Sequence, residues 1–306
     1  MAILVTGGSG FVGTALIEKL LEQGHKVYSL SRHPPIGSKN LFPVEGDITE
    51  ADLGMGEVPQ DIHAIHHVAG IHQLGEDKDN SIWETNVTGT KNVLDFCIKN
   101  NIRRLYFTST AYTWPINPYG RSKIKNEKDV RDYAEKYGLK TSIFKPSVIM
   151  GTSEHPYPGH FSQFVKLLIK VHQRGEVVRR KLEGTLRLPI LEPVFRVKGN
   201  PNGKLNLIQV DQVAWGMANI EETGTFWLTH PDPPTLQQLA DWISEAIMVD
   251  LKFEPEFKPT PLEAGFQKMI KAFQPYLQGD AFPSNLQLSP PITKEFVINT
   301  VKQSIS

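Results

Sequence analysis

The chain has 306 residues, 40% of them hydrophobic, and carries 33 Lys+Arg against 33 Asp+Glu, a formal charge of zero. That length can bury one large core with a smaller appendage. The charge balance argues against a nucleic-acid partner, which would favour a basic excess, and one cysteine, Cys97, excludes a disulfide framework.

No apolar run reaches the length of a membrane span, and the opening MAILVTGG enters a strand at once without a charged, cleavable leader. A soluble cytoplasmic protein, monomeric or homodimeric, is expected. Ala2–Thr6 reads as a strand and Gly10–Glu22 as a helix with Phe11, Leu16, Ile17, Leu20 and Leu21 in helical period. Strands follow at Lys26–Ser31, Leu41–Glu45 and Ala64–Ala69, then a long helix at Ser81–Ile98. Arg104–Ser109 is a strand, Tyr119–Tyr137 a helix and Lys140–Lys145 a sixth strand. This alternation implies a parallel sheet flanked by helices.

Beyond Pro146 the pattern loosens. His160–Val171 is an amphipathic helix, and Arg174–Asn202 is punctuated by Pro and Gly and locally basic. Leu205–Val210 reads as a strand, Gln212–Ile220 as a helix and Thr225–Leu228 as a strand. Thr235–Met248 is a helix with Thr235 as its N-cap. The Pro- and Phe-rich tail from Lys252 reads as short helices.

Gly7-Gly8-Ser9-Gly10-Phe11-Val12-Gly13 lies between the first strand and the first helix. Glycines there permit a tight turn, close approach of backbone to a pyrophosphate and close helix–strand packing. Dinucleotide binding is the reading. The second strand ends in Ser31-Arg32, with no carboxylate to accept from ribose hydroxyls. Arg32 is suited to a 2′-phosphate, so NADP (as NADPH) is expected over NAD; the plain alternative is a solvated arginine.

The stretch TSTAYTWPINPYGRSK, from Thr108, sets Thr110 and Tyr119 119 − 110 = 9 residues apart, with Lys123 four after Tyr119. Tyr119 and Lys123 share a helix face. An ammonium near a phenol favours the phenolate, so this tyrosine can pass a proton to a carbonyl oxygen while hydride reaches the carbon. Thr110, at the end of the preceding strand, can bond the same oxygen.

With these residues the chain resembles the extended short-chain dehydrogenase/reductases over most of positions 2–230. TGGSGFVG, the GDI at Gly46–Ile48, NVTGTKNVL from Asn86, YGRSK, KPSVIMG from Lys145 and VDQVA from Val210 carry the likeness. It implies a Rossmann-type doubly wound α/β sheet with a smaller, mostly helical C-terminal substrate domain. Residues 1–152, completed by 204–230, would bind NADP, and 153–203 with 231–306 would bind substrate. Gly7, Ser9, Gly10, Phe11, Val12, Gly13, Ser31 and Arg32 would hold the cofactor, with Asp47 and Ile48 flanking adenine. Val68, Ala69, Gly70, Asn86 and Ser109 would line it, and Pro146, Ser147 and Val148 would sit near nicotinamide. Thr110, Tyr119 and Lys123 would be catalytic.

STAY at Ser109–Tyr112 and KPSVIMGTS from Lys145 are similar to the thioester-reductase and fatty-acyl reductase branch. That likeness implies NADPH-dependent reduction of an acyl thioester, or of the derived aldehyde. Ketone reduction and nucleotide-sugar epimerisation or dehydration are the alternatives, and a non-catalytic NADP sensor is a further one. The sequence departs from the family in Lys145, where arginine is usual, and in the short Thr110–Tyr119 segment, which implies a more open mouth.

His63, His66, His67 and His72 match no metal-site spacing and read as strand and loop residues. Glu127 reads as a partner for the helix face of Lys123. Arg174, Arg179, Arg180, Lys181, Arg187, Arg196 and Lys198 stand against Glu176, Glu183 and Glu192. That run is either a solvated face or a dock for an anionic acyl carrier or coenzyme A. Phe253, Phe257, Phe266 and Phe273 are either core or the lining of an acyl pocket.

Overall fold

The computed structural model describes residues 1–156, 159–186, 194–279, 281–287 and 289–305. Its contacts gather into two compact units. The first comprises Met1–His155, Ile208–Thr229 and Pro283–Gln287; the second comprises Pro156–Leu207, His230–Phe282 and Leu288–Ser306.

The first unit is built on seven parallel strands: β1 (Ala2–Thr6), β2 (Lys26–Ser31), β3 (Leu41–Glu45), β4 (Ile62–His67), β5 (Arg104–Thr108), β6 (Lys140–Pro146) and β10 (Gly224–Leu228). Their order is β10-β6-β5-β4-β1-β2-β3. β1 is buried along its whole length, as a central strand covered on both faces requires. The strand order reverses beside β1, so the crevice for a ligand lies beyond the C-terminal ends of β1 and β4, at Thr6 and His67.

Helices cover both faces. On one, α1 (Phe11–Glu22) and α6 (Val210–Asn219) bury Leu16, Ile17, Leu20, Val213 and Met217 with Ile3, Val5 and Phe144. On the other, α3 (Gly89–Lys99) and α4 (Pro118–Tyr137) bury Val93, Leu94, Phe96, Cys97 and Val130 with Leu4, Ile65 and Phe107. Each such apolar side chain contributes about 1.5–3 kcal/mol when fully buried. Cys97 is core, and burial pushes its thiol up to about 12. The helix expected over Ser81–Ile98 is interrupted: a short α2 (Ser81–Trp83) runs into a π-turn at Glu84–Thr88 before α3. β9 (Leu207–Gln209), within the expected Leu205–Val210 strand, pairs with β7 (Val148–Met150), which periodicity did not indicate.

The second unit holds α5 (His160–Leu186), α7 (Leu236–Ile247), α8 (Pro261–Met269) and α9 (Lys294–Ile305) around a parallel pair of β8 (Phe195–Lys198) and β11 (Leu251–Glu254). Thr235 caps α7 in a reciprocal capping box with Gln238. α5 continues far past Val171, the end expected for that helix, into the stretch read as punctuated by Pro and Gly. Arg179 bonds Glu176 at 2.7 Å and approaches Glu183 at 3.8 Å, one-turn pairs that support the helix between Gly175 and Gly184. Arg187 and Glu192 lie outside the described residues. Arg196 is drawn into the unit by Glu263, at 2.9 Å, and so leaves the exposed basic set. Phe164, Phe195 and Phe266 meet edge to face at 5.3–5.6 Å between centroids, so Phe266 is core. The tail contains the β11 strand as well as the expected helices.

Candidate active site

The glycine turn is set by backbone contact. Gly7 takes φ +73°, and its N–H donates to the Leu30 carbonyl at 2.9 Å. A methyl at Gly7 would lie 2.8 Å from the Ala69 backbone. Ser9 and Gly10 are exposed, while Phe11 and Val12 open α1 half-buried. No side chain caps that helix, so the positive end of its dipole is available to an anion. At the end of β2, the Ser31 hydroxyl is buried without a hydrogen-bond partner and Arg32 is exposed. The strand register sets Glu45 of β3 beside Ser31, a strand-end carboxylate that sequence reasoning did not weigh. Asp47 is committed to its own turn, accepting from the Thr49 N–H and hydroxyl at 2.9 and 2.8 Å. Ile48 is buried, its side chain occupying the space above Gly89.

After β4, Val68 and Ala69 both donate to the Thr6 carbonyl, at 3.2 and 3.1 Å. Gly70 is exposed, and a methyl there would lie 3.2 Å from the Asn86 amide oxygen and 3.5 Å from the Lys123 ammonium. Asn86, Gly70 and Lys123 are therefore neighbours across three elements. The π-turn aims Asn86 at the 70–71 backbone: its oxygen accepts from Ile71 N–H at 2.7 Å, and its amide donates to Ile71 O and Ser122 Oγ, both at 2.9 Å. Asn126 donates to the Asn86 carbonyl at 2.9 Å. Sequence reasoning missed Ser122 and Asn126, whose helical spacing from Tyr119 was the available signal.

The short segment before α4 is a worked turn. Asn117 caps the helix by accepting from Gly120 N–H at 2.7 Å, and Pro118 occupies the first turn. Ala111 and Tyr112 fold inward while Pro115 and Ile116 are exposed. Thr110 is buried, and its hydroxyl oxygen accepts from Tyr112 N–H at 3.2 Å. Beyond β5 the pairing to β6 continues: Ser109 N–H donates to Phe144 O at 2.7 Å and Ala111 N–H to Pro146 O at 2.8 Å. Pro146 and Ser147 are buried and Val148 half-buried at that strand end.

Lys123 is buried and donates to the Thr108 carbonyl at 2.8 Å, with its ammonium 5.9 Å from the Tyr119 ring centre. Burial pushes its pKa down to about 8, against the opposing pull of Glu127. At neutral pH it is still largely cationic, the form that favours a phenolate beside it. Glu127 is buried as well. Ser109 Oγ donates to Glu127 Oε1 at 2.6 Å, and Lys145 Nζ donates to the same oxygen at 2.8 Å. Lys145 thus occupies an arginine position as one half of a buried pair.

His66 and His67 are held neutral, burial pushing both down to about 3. His67 is bound between Thr6 and Thr90 hydroxyls, at 2.7 and 3.0 Å. Among the described residues, Glu154, His155 and Asp211 have ligand atoms within 4.8 Å of one another, but both ring nitrogens of His155 lie against carboxylates, Asp211 at 2.8 Å and Glu18 at 2.9 Å. No described helix is long and apolar enough to cross a membrane.

The model of the NAD dependent epimerase/dehydratase family matches residues 3–187. A putative UDP-glucose 4-epimerase from Methanocaldococcus jannaschii is 28% identical over 192 residues, 55% of this chain and 63% of that protein. A putative dihydroflavonol 4-reductase from Synechocystis is 29% identical over 252 residues, 74% of this chain and 65% of that protein. The chain spans less than two thirds of the length of both relatives. UDP-glucose 4-epimerase from Thermotoga maritima superposes over 100% of both chains with a TM-score of 0.67 at 17% identity, a likeness of fold. These relatives give the thioester-reductase expectation no support. With a matching family model over most of its length and a seven-stranded doubly wound sheet, the chain belongs to the NAD dependent epimerase/dehydratase family, among the extended short-chain dehydrogenase/reductases.

Proposed function

We propose that this protein is an NADPH-dependent reductase of a small carbonyl compound, with Thr110, Tyr119 and Lys123 at the reaction centre. The residues fit a nicotinamide dinucleotide: the Ala69 backbone leaves no room for a side chain on Gly7, α1 starts uncapped, and the Ser31 hydroxyl is buried without a partner. Gly7, Ser9, Gly10, Phe11, Val12 and Gly13 would hold the pyrophosphate, and Ser31 with Arg32 the adenosine 2′-phosphate. When bound, the cofactor supplies hydride to the carbonyl carbon.

The chain's own groups handle the oxygen. The Thr110 oxygen already accepts from Tyr112 N–H, so its own proton is free to be aimed at a substrate oxygen. Tyr119 gives that oxygen a proton, and Lys123, fixed by the Thr108 carbonyl, lowers the cost of the phenolate that remains. The product is an alcohol, and the phenolate regains its proton from water.

The observation that carries this reading over epimerisation is the end of β2, where Ser31-Arg32 stands without a carboxylate of its own. A cofactor gripped by its 2′-phosphate suits a reductase that exchanges NADPH each turnover. The similarity to a putative dihydroflavonol 4-reductase over 74% of the chain supports the same class. Acyl thioesters remain one substrate class within the proposal, with STAY as their support, and they would give a hemithioacetal that collapses to aldehyde and thiol in place of an alcohol.

The test is NADPH and NADH oxidation across a panel of ketones, aldehydes, acyl-coenzyme A and acyl-carrier thioesters, with UDP-glucose as the epimerase control. NADPH-dependent turnover of a carbonyl is expected. Interconversion of UDP-glucose with no net cofactor oxidation would instead assign the epimerase reaction.

A further inference from the structure

We propose that Glu127 is a positioning residue for this centre: its buried carboxylate anchors the strand end that carries Thr110 and balances the charge of Lys123. The inference rests on reading Tyr119 and Lys123 as the proton-transfer pair.

Glu127 lies one helical turn beyond Lys123 on α4, bonds two other parts of the unit directly and reaches a third through Lys145. Oε1 accepts from Ser109 Oγ at 2.6 Å and from Lys145 Nζ at 2.8 Å. Oε2 accepts from Arg131 Nη2 at 2.9 Å. Lys145 in turn donates to Thr113 Oγ1 at 3.0 Å and lies 4.9 Å over the Trp227 ring. One carboxylate thus ties α4 to the end of β5, to the Thr113 turn and to β6. Thr110 sits between two of these anchors, Ser109 and Thr113. Its position relative to Tyr119 is therefore fixed through Glu127, across a segment with no longer loop to do so.

The second role is electrostatic. Burial opposes ionisation of Glu127, yet the bonds from Lys145 and Ser109 hold its pKa below the usual carboxylate range. The resulting anion is the group that raises the pKa of buried Lys123. The other groups facing Lys123 do not supply that charge. Tyr119 is a phenol on the same helix, His67 of β4 is neutral, and Thr108 offers a carbonyl. Lys145 and Arg131 are cations already engaged with Glu127. A buried ammonium next to further cations and no anion loses its proton more readily.

Glu127→Gln keeps the size and an acceptor oxygen but removes the charge. The test reads Lys123 directly in full-length protein labelled with ¹³C at the lysine ε-carbon, its NMR resonance identified with Lys123→Arg. In Glu127→Gln the Lys123 titration midpoint is expected to fall by about one pH unit. In Glu127→Asp, which keeps the charge, it should stay close to the unmodified protein. Should Glu127→Gln fail to fold, the double variant Glu127→Gln/Lys145→Met replaces the buried pair with neutral groups, a change that is often tolerated, and the Lys123 midpoint is again expected to fall. An unchanged midpoint in a folded Glu127→Gln, or in the folded double variant, overturns the proposal. The titration needs no substrate, so it stands apart from the reductase reading, which fails separately if the unmodified protein oxidises NADPH with no carbonyl compound.

Discussion

Gly13 lies so close beneath Gly7 that a methyl on it would stand 2.1 Å from the Gly7 carbonyl oxygen. The first turn of α1 is thereby pressed onto the end of β1, and that contact brings the helix N-terminus up to the phosphate position. Gly13→Ala must push the two apart, and overpacking of this kind costs about 1–3 kcal/mol. We expect a lower melting temperature and weaker NADPH binding together. An unchanged melting curve with unchanged NADPH affinity would show that the turn relaxes without cost.

Arg32→Ala is expected to weaken NADPH by about 1.5–3 kcal/mol, the range for a hydrogen bond to a charged group. NADH, lacking the 2′-phosphate, should bind almost as before. Calorimetric titration of both cofactors decides it, and a stronger grip on NADH in the unmodified protein would transfer the selective role to Glu45, the carboxylate in register with Ser31.

Tyr119→Phe should leave the cap of α4 and the Lys123–Thr108 bond in place, because neither uses the phenol. Turnover should drop by roughly 10²–10⁴, the usual contribution of a placed proton donor. Cofactor affinity and melting temperature serve as controls. Near-normal turnover would mean that Thr110 or solvent delivers the proton.

The sheet was legible because its strands are short apolar runs with helical periods between them, and β1, β2 and β3 fall at the expected residues. The glycine turn and the Tyr119–Lys123 pair were legible because both are local: one is a run of glycines at a strand end, the other a one-turn spacing. What stayed hidden depends on partners distant in sequence. Glu127 gains its meaning from Ser109 and Lys145, each 18 residues away. The π-turn that aims Asn86 at Ile71 has no signature in a segment that reads as continuous helix. The extension of α5 was misjudged because the Pro and Gly of Arg174–Asn202 were weighed as punctuation, while the Glu176–Arg179–Glu183 pairs lying between Gly175 and Gly184 were not.

The last prediction concerns pH. His155 bridges Asp211 of α6 and Glu18 of α1, with ring nitrogens 2.8 and 2.9 Å from their carboxylates, and so clasps two helices that pack together. Burial pulls its pKa down, but the bond to Glu18 and the charges of Glu18 and Asp211 outweigh this, and the net shift is upward from 6.5. A folded pKa above the unfolded one gives stability that is complete below about 6.5 and fades as pH rises through the folded value. His66 and His67 act in the opposite direction. Burial depresses both to about 3, so the unfolded chain takes up protons between about 6.5 and 3 that the folded one refuses. Their contribution is intact above about 6.5 and is lost as pH falls through that window. The three residues together place a stability maximum near pH 6.5, with an acid limb from the β4 pair and an alkaline limb from the clasp. Urea midpoints measured from pH 5 to 8.5 should trace that dome. His155→Asn should flatten only the alkaline limb, and an alkaline limb of unchanged slope in that variant would show that the clasp carries no linked proton.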